Sequence, residues 1–146
     1  MKKNSRILMY PLIMVMFLLV SISCSKKDEV NDSNKSQLEL LTSHQWKYSS
    51  IKRDGAATAL LDCEKDDHFS WSADGIWTQN PGLVLCYGNE KVTSGSYSLS
   101  VDLKTISYGG YESQYNIHAD IVELTESKLV LTSTAESVFE KTYVPY

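Results

Sequence analysis

No apolar run in this 146-residue chain is long enough to supply several membrane spans, and basic side chains do not outnumber acidic ones, 14 against 18. The first absence excludes a transporter, the second a protein that holds nucleic acid by charge, and the length excludes a multidomain enzyme. Methionine is missing from everything after Met16, because Met1, Met9, Met14 and Met16 are the whole complement of four. Cysteines number three and histidines three. There is no Cys-x-x-Cys pair and no Gly-x-Ser-x-Gly elbow.

What is present begins with a cationic start. Lys2, Lys3 and Arg6 precede Ile7 to Val20, an apolar stretch interrupted only by Tyr10 and Pro11, which is the layout of a secretory signal peptide. A spanning helix needs roughly 20 apolar residues, and polarity resumes at Ser21, so a removed leader over residues 1–23 is favoured over a retained anchor. Removing it leaves 11 basic against 18 acidic side chains, a formal balance of -7. Such a surface is repelled by nucleic acid and by bare anionic lipid.

Ser21-Ile22-Ser23-Cys24 resembles the lipobox of bacterial lipoproteins, in which a small residue precedes a cysteine that becomes the acylated first residue. The thiol of Cys24 would carry a diacylglyceryl group, and several acyl chains anchor where one does not, at about 0.8 kcal/mol per buried methylene. Lys26-Lys27-Asp28-Glu29 follows. It looks like the surface-export signal of lipoproteins in one large phylum of Gram-negative bacteria, and equally reads as a solvated charge run. Residues 24–37 are expected to be the lipidated cysteine and a flexible tether, since Val30 is the only apolar residue between Ser25 and Gln37. As a random coil this tether spans roughly 20 Å.

With Cys24 acylated, Cys63 and Cys86 remain, in a compartment where disulfides persist. An even remainder suits a bridge, whose loop of about 24 residues restricts the unfolded chain by roughly 3.5 kcal/mol. Only His68 lies near either cysteine at a zinc-ligand interval.

Residues 38–146 read as the folded domain. Leu38 to Leu41 make a short helical turn ended by Thr42-Ser43, and thereafter the hydrophobic period is two. Trp46, Tyr48 and Ser50 alternate with polar residues up to Asp54-Gly55, and Phe69 and Trp71 do so up to Asp74-Gly75, before Ile76 to Gln79 returns. Tyr97, Leu99 and Val101 share a face, Asp102 to Lys104 turns, and Ile106 and Tyr108 follow. Ile117, Ala119 and Ile121 share another face that shifts at Val122 and Leu124, the mark of a bulge. Leu129 and Leu131 and then Val138 to Val144 complete about eight short strands. The pattern is all-β, an up-and-down barrel or a two-sheet sandwich, and a barrel removes the free edges.

The residues also carry a resemblance. Leu41 with Trp46-Lys47, Cys63-Glu64-Lys65-Asp66-Asp67, Ala73-Asp74-Gly75, Cys86, Gly95 to Leu99, Ile121 to Thr125 and Leu129-Val130-Leu131 look like the lipocalin-like domain of many bacterial lipoproteins, over about residues 38–144. The resemblance implies a small antiparallel up-and-down β-barrel of about eight strands near the cell envelope. It implies no particular activity.

The chemistry-bearing residues are sparse. His44, His68 and His118 are the only side chains with an unperturbed pKa near neutrality, and none sits in a catalytic constellation. Asp62, Glu64, Asp66, Asp67 and His68 are the densest polar cluster, but Lys65 and Phe69 break the spacing of a calcium loop, so the cluster reads as an acidic loop entering a strand. Trp46, Tyr48, Phe69, Trp71, Tyr97 and Tyr108, with Trp77, have two readings. They fill the core, or some of them line an open end that takes a small hydrophobic ligand. Tyr108, Tyr111 and Tyr115 around Gly109-Gly110 would form its rim, and the same loop has the composition of a protein-contact or glycan-contact surface.

The expectation is therefore a non-enzymatic lipocalin-like lipoprotein with no metal or cofactor, lipid-anchored in the outer membrane, periplasmic or surface-exposed, that binds a small hydrophobic molecule. The competing expectation is an accessory module with a filled core, working through its loops or sheet surface. Cys24→Ala is expected to abolish incorporation of radiolabelled lipid and to release the protein from the membrane fraction. Continued membrane partitioning of that variant would overturn the lipoprotein assignment.

Overall fold

The computed structural model describes residues 35–109 and 116–146. The leader, Cys24 and most of the tether lie outside the described residues, as do Gly110, Tyr111 and Tyr115 of the expected rim. The chain divides into Met1–Asn31 and Asp32–Tyr146, and only the second unit is treated below.

It opens with helix α1 (Gln37–Thr42). Ser36 caps it: its Oγ accepts the Glu39 amide at 3.2 Å, while the Glu39 carboxylate accepts the Ser36 amide at 2.6 Å. Two amides that would otherwise be unsatisfied at the helix start are thereby paired, an arrangement worth about 1 kcal/mol. Its purpose in the fold is Leu41, which is completely buried.

The strands follow as the period-two pattern predicts: β1 (Gln45–Arg53), β2 (Ala56–Thr58), then helix α2 (Asp62–Lys65), β3 (His68–Trp71), β4 (Ile76–Asn80), β5 (Thr93–Leu99), β6 (Thr105–Tyr108), β7 (Ile117–Leu124), β8 (Leu129–Thr134) and β9 (Val138–Pro145). From β3 to β9 each pairs antiparallel with the next, and β1 pairs with both β3 and β9. The sheet thus closes into an eight-stranded antiparallel barrel. The short β2 hangs on the far end of β1 through the Asp54-Gly55 turn, whose φ values of 51° and 81° are those of a primed hairpin turn.

Two registers shift, between Tyr48 and Ser50 on β1 and between Ile121 and Glu123 on β7. The second is the bulge expected at Val122. Such extra residues bend a strand and help a sheet coil into a barrel. One expectation is corrected: Val101 does not extend the Tyr97 and Leu99 face. β5 ends at Leu99, because the Ser100 amide already bonds back to Thr105 and Leu103 adopts a φ of 58°, leaving Val101 fully exposed in the turn. Neither β2 nor α2 was expected.

The core lies inside the barrel. Leu41, Trp46, Phe69, Trp71, Trp77, Ile106, Tyr108, Leu129, Leu131 and Tyr143 pack as one cluster. Leu41 covers the end of the barrel where β1 begins, and the Trp46 Nε1–H donates to the Leu41 carbonyl at 3.0 Å, so the indole brings its only polar atom to a partner. All of this core, and the β1–β9 closure, belongs to Asp32–Tyr146, so that unit has what it needs to fold on its own. Trp46→Ala in it is expected to lower the unfolding free energy by about 3–5 kcal/mol, measured by urea denaturation. A loss below about 1 kcal/mol would show that Trp46 is not the core residue its burial indicates.

Candidate functional site

The inward faces of the strands divide by height. Near the α1 end they are sealed: Trp46, Trp71, Ile106, Leu129 and Leu131 are at most 2% exposed. Two or more residues further along, towards the opposite mouth, inward positions open to solvent. Register places Lys141 opposite both Ile51 and Leu131, and Ser133 opposite Phe139, all on the face that holds Tyr143. Tyr48, Ile51, Ile117, Ser133, Phe139 and Lys141 are only half-buried although they face into a closed barrel. The barrel is therefore a cup, filled below and accessible above.

Beneath the cup lies an aromatic layer of which only Tyr48 is reached by solvent. The Tyr48 ring lies 4.7 Å from Phe69 and 5.0 Å from Tyr143, and Phe69 meets Tyr143 edge-on at 5.4 Å. Burial raises the pKa of Tyr143 and Tyr108, and that of Tyr48 lies well above the ordinary phenol value for the same reason. These phenols stay neutral under any physiological condition.

The rim on the β3–β5 side is polar. Gln79 lies opposite Phe69 on one strand and Thr93 on the other, so both look inward above the floor, and the Gln79 amide donates to Asp67 at 3.1 Å. Asp67, Gln79, Thr93, the outward-facing Ser94 and the loop residues Asn89, Glu90 and Lys91 line an open polar cleft of about 730 Å³ at this edge, beside the inner face that holds Tyr48, Ile51 and Lys141 and not lined by it. Burial pushes the Asp67 carboxyl up, the charges of Asp66, Glu90 and Glu64 add to that, and the Gln79 hydrogen bond works against it.

The loop from Pro81 to Val92 is held to the barrel by two devices. Cys63 on α2 is joined to Cys86 in a disulfide, their Cα atoms 5.2 Å apart. Beside it the Asp66 carboxylate accepts the amides of Leu83 at 2.8 Å and Val84 at 3.0 Å, bonds that hold its pKa below the ordinary value. The chain comes so close here that a Cβ on Gly82 would meet Asp66 at 2.5 Å, and Gly82 has a φ of +70°. Only glycine fits.

The acidic cluster is thus committed to structure. Asp62 pairs with Lys65 at 2.7 Å, Glu64 accepts the Leu61 amide at 2.8 Å, Asp66 holds the loop and Asp67 holds Gln79. Among the described residues no group of three or more His, Cys, Asp or Glu side chains is placed to hold a metal ion. The histidines are scattered. His44 edges Trp46 at 5.7 Å, His68 stacks on Tyr146 at 4.5 Å, and His118 lies on the outer face, with Nδ1 2.8 Å from Ser107 Oγ.

The six aromatic residues expected to line a site all belong to the core cluster or pack against it. Trp46, Phe69, Trp71 and Tyr108 are buried, and Tyr48 forms the floor. Tyr97 goes to the other end of the barrel, where its hydroxyl donates to the Ser72 carbonyl at 2.8 Å. Sequence reasoning missed Gln79 and Lys141. A signal for Lys141 was present: it alternates with Phe139 and Tyr143, which puts a charge on an inward face.

A closed antiparallel barrel of eight strands, covered at one end by a short N-terminal helix and accessible at the other, is the architecture of lipocalin-type proteins. The chain belongs to the lipocalin-like domain family, whose sequence model matches residues 43–131. Among solved structures it is similar to a lipocalin-like protein from Bacteroides uniformis ATCC 8492, with a TM-score of 0.57 and 15% identity over 73% of this chain and 99% of that one. No curated protein matches.

Reducing the Cys63–Cys86 bridge is expected to lower the stability of the folded unit by about 3 kcal/mol, read as the shift in urea unfolding with and without a phosphine reductant. An unchanged transition would show that the bridge restrains nothing the folded state needs.

Proposed function

We propose that this protein is a non-enzymatic binding protein of the cell envelope, tethered through acylated Cys24 to the outer membrane, that holds a small molecule in the upper half of its barrel. The observation that carries the binding reading is the division of the interior, sealed around the Trp46 layer and solvent-reached from Tyr48 upward. A space roofed by loops and floored by rings favours a compact ligand with an apolar or aromatic body, because flat rings give large contact area without fixing polar geometry. The filled lower half excludes a long chain laid along the barrel axis. The dispersal of His44, His68 and His118 supports binding over catalysis. The tether reading rests on the lipobox-like run before Cys24 and on the polar stretch after it.

A second reading is favoured by one feature. The β4–β5 loop exposes Leu83 at 96% and Tyr87 at 85%, with Val84 and Val92 also out in solvent. On a loop braced by a disulfide these residues would suit a protein contact, which is the accessory-module alternative.

The test uses uncharged phenylnaphthylamine, which fluoresces in apolar surroundings, with the chain beginning at Asp32. Saturable binding is expected, and Ile51→Trp, which places a large ring in the cup, is expected to weaken it about tenfold or more without lowering the urea midpoint. Absence of saturable binding, or binding indifferent to Ile51→Trp, would overturn the cup as the site and favour the loop reading.

A further inference from the structure

Lys141 is out of place in the barrel. It faces inward on β9, two residues from Tyr143, on the same half-buried inner face of the upper barrel as Tyr48, Ile51 and Phe139. A lysine kept inside a barrel is ordinarily matched by a carboxylate. Here the ion pairs formed by lysines are those of Lys35, Lys52, Lys65 and Lys128, and Lys141 has no such partner among the described residues. Its only polar contact among them is to the Tyr48 hydroxyl at 3.5 Å, at the outer limit of a hydrogen bond, with the ammonium 5.6 Å from the Tyr48 ring centroid. A lysine ammonium has three N–H donors, and described protein groups take one of them at most. Burial accordingly lowers its pKa from the ordinary value, with Glu64 acting in the opposite direction.

The surrounding acids do not supply the missing partner. Glu64 is turned to the Leu61 amide and Asp67 to Gln79. They place negative potential on the α2 and β3 side of the mouth.

We propose that Lys141 is the anchor for a small monoanionic organic ligand, its acid group on the ammonium and its aromatic or aliphatic body against the half-buried ring of Tyr48, which caps the sealed Phe69 and Tyr143. This rests on the cup being the binding site and adds the class of molecule it takes. The ring of Tyr48 serves both parts, as a cation–π neighbour of the ammonium and as a face for the ligand's body. One acid group suffices to pair the single Lys141 ammonium, while Arg53, 5.5 Å from the Phe139 ring centroid, and the acids on the α2 and β3 side flank the mouth with opposite charges.

The experiment compares two probes that share one aromatic skeleton, uncharged phenylnaphthylamine and anilinonaphthalene sulfonate, which adds one permanent negative charge. With the chain beginning at Asp32, the sulfonate is expected to bind about tenfold or more tightly than the uncharged probe. Lys141→Met is expected to remove that preference while leaving the uncharged probe within about twofold, and Lys141→Arg to retain it. If the wild-type chain binds both probes equally, or prefers the uncharged one, the anchor role is overturned while the cup stands, and that comparison needs no variant to fold. If the preference survives Lys141→Met, the charge is recognised elsewhere and the proposal fails. If neither probe saturates, the cup itself fails and the anchor with it.

Discussion

Everything inside this barrel depends on the ladder between β1 and β9, which runs from Trp46 opposite Pro145 to Arg53 opposite Phe139. Without it the eight strands are a sheet with two free edges, exposed to pairing with other chains. With it the interior becomes a tube so narrow that side chains alone decide what space is left. The closure also fixes height. It sets Tyr48 beside Tyr143 and Ile51 beside Lys141, and so assigns the first pair to the packed layer and its surface, the second to the chamber above. Leu41, brought over the lower end by a capped turn of helix, then makes the tube blind.

That single constraint explains which parts of the structure were legible beforehand. Alternation of Trp46 with Tyr48 and of Phe69 with Trp71, punctuated by Asp54-Gly55 and Asp74-Gly75, tells which residues share a face, and a closed antiparallel barrel follows with few alternatives. The shift at Val122 was readable because a bulge interrupts a period of two. The three exposed residues of β2 and the single turn of α2, which buries only Cys63, are too short to carry a period, so neither is legible in the sequence. Alternation likewise carried the face one step too far, to Val101, because it cannot sense where a turn begins.

The candidate site was less legible for a related reason. Period two distinguishes inside from outside but says nothing of position along the barrel axis, which is set by stagger between strands. Tyr97 and Tyr48 are equivalent aromatic residues on inward faces, yet they lie towards opposite ends of the tube. Attention to rings alone also hid the more informative residue, because a charge at an inward position is a stronger departure from packing than another aromatic. The half-filled interior has a plain chemical meaning. Wide rings consume the lower volume, so the space left is short, bounded by the polar rim and by loops whose shape is not dictated by the sheet.

The bridge between Cys63 and Cys86 separates two stages in the life of the molecule. The barrel's hydrogen bonds and its aromatic core need no oxidant, so they can form in any compartment. The fastening of the Pro81 to Val92 loop to α2, at the β3–β5 side of the mouth, is completed only where thiols oxidise. The scaffold therefore precedes its own edge: a chain still among reductants is a finished barrel with one loop less firmly held, and the shape of that edge becomes a property of place as well as of sequence.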